Sequence, residues 1–150
     1  MTKTKAQQIM AATEVRAADD VTAAIQDIAA EFEPYIIKQR RHFHKHPELS
    51  LAEERTTSDI ANQLDAMNIP YERPLKTGLV ATLRGTAPDA YREDGTPRRR
   101  ILLRADIDAL PVTEQTGEEF ASVNEGCMHA CGHDCHIAMM LGTLQILRHM

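Results

Sequence analysis

The sequence lacks three features that would place it in a broad class at once. No apolar run approaches the roughly 18 residues that a membrane-spanning helix needs. The N-terminal stretch contains no apolar core of the kind that a secretory signal peptide requires. The net charge is -5, and the arginine cluster at residues 98–100 lies next to an acidic stretch, so no basic face for nucleic acid is indicated. We therefore expect a cytoplasmic protein with no membrane and no nucleic-acid partner.

Cysteine is scarce, and its three copies, Cys127, Cys131 and Cys135, all fall within nine residues. An odd number of clustered cysteines in a chain without a secretory signal argues against a disulfide framework. The cluster favours metal ligation or reactive thiol chemistry instead.

The rest of the sequence has the composition of a globular domain. Its 150 residues suit one domain or part of a larger one, and 43% of them are apolar, enough for a core. Apolar residues at helical spacing predict helices over residues 20–32, 34–45, 51–67 and from 136 onward. Short apolar runs predict strands over residues 70–73 and 78–83 and a buried strand from 101 to 104. Helices interspersed with strands are typical of an α/β sheet protein.

Local signals predict where some of these elements begin and end. Pro34 suits a first helical turn, and Asn68 is a suitable helix stop. The first dozen residues are expected to be loose. The last helical pattern is still running at Met150, so we expect an incomplete domain.

The segment from residue 127 to 136 holds six side chains of metal-ligating type. Thiolate and imidazole are preferred ligands of zinc and its neighbours. In an extended segment Cys131 and His133 point the same way, whereas in a helix His133 shares a face with His129 or with His136. Because Gly132 suits a tight turn, we favour a loop that holds Cys131 and His133 together, with the helix beginning just afterwards. The alternative is a buried thiol with surface histidines.

Asp106 and Asp108 follow the apolar run that begins at residue 101. Two residues apart on a strand, they lie on one side, and they repel each other unless one is protonated or a cation intervenes. Ligands of open α/β sheets bind at the carboxyl ends of strands, and a carboxylate can orient a metal-bound histidine through its second nitrogen. The alternative is a solvated turn or a helix-capping aspartate.

Read together, four segments resemble the M20 metallopeptidase family, in its aminoacylase, hippurate hydrolase and indole-acetyl-amino-acid hydrolase branch. They are RRHFHKHPELSLAEE, TGLVATLRG, LLRADIDALPVTE and MHACGHDCHIAMMLG, in the order that the family has them. The resemblance implies that residues 34–150 are the N-terminal part of an M20-type zinc-peptidase catalytic domain, with a mixed sheet and flanking helices. Residues 1–33 would be an extension, partly helical or disordered, and the lid or dimerisation domain would be absent.

The resemblance also implies roles for single residues. Cys131 and His133 would be two ligands of a site for two divalent ions, which could be Zn, Mn, Co or Ni, and Asp108 would support a metal ligand. Asp106 stands where other branches carry a metal-binding histidine, so its role stays open. Cys127 and Cys135 are not part of the family pattern.

The implied activity is hydrolysis of the amide bond of N-acyl amino acids, which are small molecules. Since the family's paired glutamates and remaining ligands lie beyond these segments, we expect this chain to bind metal weakly and to be inactive alone. A complementing C-terminal fragment is the implied partner. The alternatives are a non-catalytic Cys/His metal-binding or thiol-redox module, and a relic that binds nothing.

Overall fold

The structure, a computed structural model, describes the backbone of residues 5–150 and the side chains of residues 20–150. Three helices and two short strands occupy this part of the chain. In chain order they are α1 (Lys5–Lys45), α2 (Glu54–Ala66), β1 (Tyr71–Glu72), β2 (Val80–Ala81) and α3 (His133–His149). None of the helices among these residues is long and apolar enough to cross a membrane.

Helix α1 is a single helix of 41 residues with Pro34 inside it. The prediction of separate helices over residues 20–32 and 34–45 is therefore wrong, although the second end, at Lys45, is correct. An interior proline removes one backbone hydrogen bond but holds its φ angle near the helical value, so the helix can continue through it. The helix includes residues expected to form a partly helical or loose extension, and that expectation stays a prediction; the first four residues lie outside the described part.

Helix α2 begins at Glu54, three residues later than predicted, because of the turn before it. Leu51 has a positive φ of 66°, which a helix does not allow. The carboxylate of Glu48 then accepts hydrogen bonds from the backbone N–H groups of Arg55 and Thr56, at 3.2 and 2.7 Å. Glu48 therefore stabilises the start of α2 from outside the helix, where unpaired N–H groups favour an anion.

The end of α2 confirms Asn68 as a helix stop. Asn68 has a φ of 56°, in the left-handed region that asparagine tolerates. Its N–H donates to the carbonyl of Asp65 at 3.0 Å, and the N–H of Ile69 donates to that of Leu64 at 2.9 Å. This pair of bonds closes the helix and turns the chain toward β1.

Strands β1 and β2 pair antiparallel, with Tyr71 opposite Ala81 and Glu72 opposite Val80, which confirms both predicted strands. The buried strand predicted from residue 101 is wrong. Ile101 is 87% exposed, and this segment belongs to no strand in the described part of the chain. An apolar run becomes a buried strand only where a neighbouring strand and a covering layer exist, and the described residues supply neither.

The core lies where α1 packs against α3, with α2 closing one side. Its buried side chains come from all three helices and from the turn after α2 (Phe43, Leu64, Met67, Ile69, Ile137 and Leu141). This packing fixes α3 relative to α1 from its first turn onward, and that turn carries the residues considered next.

Candidate metal centre

His133 is the first residue of α3, and its ring is held by Asp108. Its Nδ1 lies 3.0 Å from the Asp108 carboxylate and 2.9 Å from the Asp108 backbone carbonyl. With the proton on Nδ1, the ring donates to these oxygens. Nε2 then carries no proton and keeps a free electron pair that can bind a metal ion. A carboxylate in this position is the usual partner of a metal-binding imidazole.

Asp106, His133 and His136 bring one potential ligand atom each within 4.8 Å of one another. The two imidazole rings stack, with centroids 5.2 Å apart, because residues three apart share a helix face. Two imidazoles and a carboxylate suit zinc and neighbouring divalent ions, and three protein ligands are usual at catalytic zinc sites. The donor set therefore fits a divalent cation.

Arg104 keeps the Asp106 carboxylate ionised and in place. Its Nε and Nη2 lie 2.9 and 2.8 Å from one Asp106 oxygen. These hydrogen bonds hold the pKa of Asp106 below its usual value, against a smaller effect of burial. The second carboxylate oxygen stays available as a ligand atom.

Backbone hydrogen bonds bring the two ligand-bearing segments together. Leu110 and Met128 exchange bonds of 2.9 and 3.0 Å, and the N–H of Ala109 donates to the Glu48 carbonyl at 2.8 Å. Gly132, with a φ of 90°, then turns the chain into α3. Asp106, Asp108 and His133 are neighbours in space for this reason.

The three cysteines have different surroundings. Cys131 is exposed and lies outside the group of three ligand residues, so its sharing of an ion with His133 stays a prediction. Cys127 is buried, and burial raises the pKa of its thiol, which favours the protonated form. Cys135 is half-buried, and all three thiols are free.

Behind Cys131 lies a cavity of about 430 Å³, lined among others by Arg40, His44, Phe120 and His129. His129 is 3% exposed, and neither of its ring nitrogens has a hydrogen-bond partner within the described residues. Burial lowers the pKa of His129, so its ring is neutral.

Four ionisable side chains that line this cavity form a network, in which all but Arg40 are buried. Arg40 Nε and His44 Nδ1 lie 2.9 and 2.8 Å from the same Asp134 oxygen, and His44 Nε2 lies 3.0 Å from Glu114. Burial raises the pKa of Glu114, but hydrogen bonds from Thr116, from the Ser122 backbone N–H and, to a smaller extent, from His44 outweigh it and lower the pKa to about 2. Glu114 is therefore ionised at neutral pH.

His136 was not predicted as a ligand, because the last helix was expected to begin there. Since α3 begins at His133 instead, the helical alternative, in which His133 and His136 share a face, is the one that the structure has. That spacing of three was the available signal. The network around His44 had no local signal, because its members lie 70 and 90 residues apart.

Comparison with known proteins shows what this chain is similar to. Residues 102–150 match the model of peptidase family M20/M25/M40. An N-acyl-L-amino acid amidohydrolase of Geobacillus stearothermophilus is 43% identical over 81% of this chain and 31% of its own length. An N-acetylcysteine deacetylase of Bacillus subtilis is 45% identical over 77% of this chain and 29% of its own length.

Solved structures resemble the fold as well. A dinuclear metal-binding peptidase of the M20 family from Bacillus subtilis is 42% identical to this chain and has a TM-score of 0.69. The match covers 80% of this chain and 32% of that one. The resemblance to the family and the α/β fold class predicted from the sequence are thereby confirmed. The chain spans about a third of the length of these relatives.

Proposed function

The chain belongs to the M20 family of peptidases, and on that premise we propose that it is the metal-binding part of a hydrolase that cleaves the amide bond of N-acyl amino acids. Two relatives are named for this chemistry, an N-acyl-L-amino acid amidohydrolase and an N-acetylcysteine deacetylase. The observation that carries the proposal is the contact between His133 and Asp108, which leaves His133 Nε2 free beside Asp106 and His136. The substrate is a small molecule, and the proposed location is the cytoplasm.

The metal would be held by His133, Asp106 and His136, with Cys131 as a further ligand. The proposed cofactor is a pair of divalent ions, with Zn, Mn, Co and Ni all compatible with these donors. A bound divalent ion supplies polarisation of the amide carbonyl and a lower pKa for the attacking water.

Two further residues of the chain orient one ligand of this centre and pair with another. Asp108 fixes the orientation of the His133 ring, and Arg104 holds Asp106 in its ionised form. The Asp106 side chain is 36% exposed, so the centre is open to a small substrate.

No glutamate joins these residues within the described part of the chain, so a general base is missing from the group. We therefore propose that the 150-residue chain alone has no turnover and that a complementing C-terminal fragment restores it. Weak metal binding is proposed as well, because two ions would have to share the three ligand residues of this group and Cys131.

Metal analysis and a hydrolysis assay on an N-acetyl amino acid test the proposal together. We expect less than one ion per purified chain, no turnover by the chain alone, and loss of the residual metal in His133→Ala. Robust turnover by the chain alone would overturn its proposed incompleteness.

A non-catalytic Cys/His metal-binding or thiol-redox module is the second candidate, favoured by three free thiols within nine residues. As a metal-binding module it requires one tightly bound ion per purified chain, with no dependence on a second fragment, and loss of that ion in Cys131→Ser. Less than one ion per chain excludes the metal-binding form, and thiols that do not react with oxidised glutathione exclude the redox form.

A further inference from the structure

His44 lies at the centre of the buried network that stands behind the first turn of α3. Its two ring nitrogens each face a carboxylate, Asp134 at 2.8 Å and Glu114 at 3.0 Å. The side chains of His44, Asp134 and Glu114 expose only 5%, 1% and 4% of their surface. A buried carboxylate is costly unless donors or cations compensate it. His44 supplies one partner to each carboxylate, beside Arg40 for Asp134 and beside Thr116 and the Ser122 backbone N–H for Glu114.

The ring of His44 joins three segments that are distant in sequence. His44 belongs to α1, Glu114 to the connection that follows Pro111, and Asp134 to the first turn of α3. Because both nitrogens are engaged, the ring cannot turn without losing a contact. Arg40 also contacts Asp134, but its side chain is 34% exposed and no ion pair links it to Glu114 within the described residues.

The position of Asp134 determines what this network can affect. Asp134 stands directly after His133 and two residues before His136, on the same helical turn. A shift of Asp134 therefore moves both imidazoles of the candidate metal centre. The loop from residue 127 to 132 enters the same turn, so a shift of the turn also moves Cys131.

We propose that His44 is a positioning residue for the metal centre: by holding Asp134 and Glu114 at once, it sets where His133 and His136 present their ligand nitrogens. This role rests on the proposed metal site and adds a determinant outside it, on α1. His44 itself is not one of the candidate ligand residues within the described part of the chain.

Cobalt(II) titration of the 150-residue chain tests this role, since the visible bands of bound cobalt report the number and arrangement of its ligands. In His44→Gln both donor hydrogens lie on one amide nitrogen, whereas the ring reaches Asp134 and Glu114 through two separate nitrogens, so the amide does not span both carboxylates. We expect roughly tenfold weaker cobalt binding, at the lower end of the range for residues that support metal ligands. At saturating cobalt we also expect shifted bands.

His42→Gln is the matched control. His42 has the same residue type on the same helix, and its Nε2 lies 2.8 Å from a carboxylate, but that carboxylate is Asp59 of α2. Cobalt affinity and bands should match those of the unaltered chain. A merely structural His44 would lower the free energy of unfolding and leave the bands at saturation unchanged, and that result would overturn the proposal.

Two further results are decisive. If His44→Gln fails to fold, Glu114→Gln is tested in its place. Glutamine keeps the shape of glutamate and one acceptor oxygen but removes the charge. Unshifted cobalt bands in Glu114→Gln would overturn the positioning role. If the unaltered chain shows no cobalt bands, the proposed metal site fails and the role of His44 with it. Cobalt bands that are present but unchanged in His44→Gln would overturn the positioning role and leave the proposed metal site intact.

Discussion

A β-carbon added to Gly142 of α3 would stand 2.7 Å from Cδ1 and 2.8 Å from Cγ1 of Ile36 on α1. Carbon atoms do not approach this closely, so a side chain at position 142 has no room unless Ile36 changes its conformation. This contact lies nine residues beyond His133, on the helix that carries the candidate ligands. The separation of α1 and α3 therefore depends on a missing side chain.

The first prediction concerns this contact. Gly142→Ala should destabilise the chain by about 1 kcal/mol, because overpacking outweighs the better helix propensity of alanine. In an Ile36→Ala background the clash is removed, and the same substitution should stabilise by up to about 1 kcal/mol. Urea unfolding of the four chains measures both effects. An identical effect of Gly142→Ala in both backgrounds would contradict the contact.

The second prediction concerns Asp108. Asp108→Ala removes the carboxylate that faces His133 Nδ1 and keeps only the backbone carbonyl at 2.9 Å. We expect roughly tenfold weaker cobalt binding, as is usual when the partner of a metal-binding histidine is lost. Isothermal titration calorimetry measures the change. Asp89→Ala, at an exposed aspartate of the loop that follows β2, is the control and should bind as the unaltered chain does.

The third prediction concerns acid stability. The pKa of Glu114 is about 2 in the folded chain and 4.5 as its ordinary value, so its charge stabilises the fold above pH 4.5. That contribution, on the order of 2 kcal/mol, is lost as the pH falls from about 5 toward 2. Glu114→Gln should therefore lose less stability between pH 6 and pH 3 than the unaltered chain.

Urea midpoints at several pH values measure the acid effect. Glu118→Gln, in the same connection but exposed, is the control and should keep the steeper loss. Parallel curves for Glu114→Gln and the unaltered chain would show that Glu114 does not contribute to the acid sensitivity.

The fourth prediction concerns the core. Leu64 is 1% exposed and packs among the three helices, so Leu64→Ala should cost about 2–5 kcal/mol of unfolding free energy. Leu51 is 85% exposed, and Leu51→Ala should stay within about 0.5 kcal/mol of the unaltered chain. Chemical denaturation followed by circular dichroism compares the two. Equal losses would mean that the core is elsewhere.

Features set by neighbouring residues were predictable from the sequence. The two strands and the stop at Asn68 follow local apolar patterns and the tolerance of asparagine for a left-handed backbone, and the structure has them. Asp108 beside His133 was expected only through the family resemblance. The start of α3 at His133 was missed, because Gly132 was assigned to a loop that continues past it.

Features that depend on distant parts of the chain were not predictable in this way. The meeting of His44 with Glu114 and Asp134 requires the packing of α1 on α3. The prediction of a buried strand from residue 101 was wrong for the same reason. Burial depends on what covers a segment and not on its composition alone. Pro34 misled because a favourable first-turn residue is also tolerated further along a helix.

The uncovered run at Ile101 and Leu102, exposed by 87% and 88%, has a practical consequence for anyone handling the protein. The run is apolar, belongs to no strand and has no hydrogen-bonded neighbour strand in the described part of the chain, so it offers other molecules a surface for association. Solutions of the purified chain should cloud as they are concentrated. A lysine at either position should keep them clear.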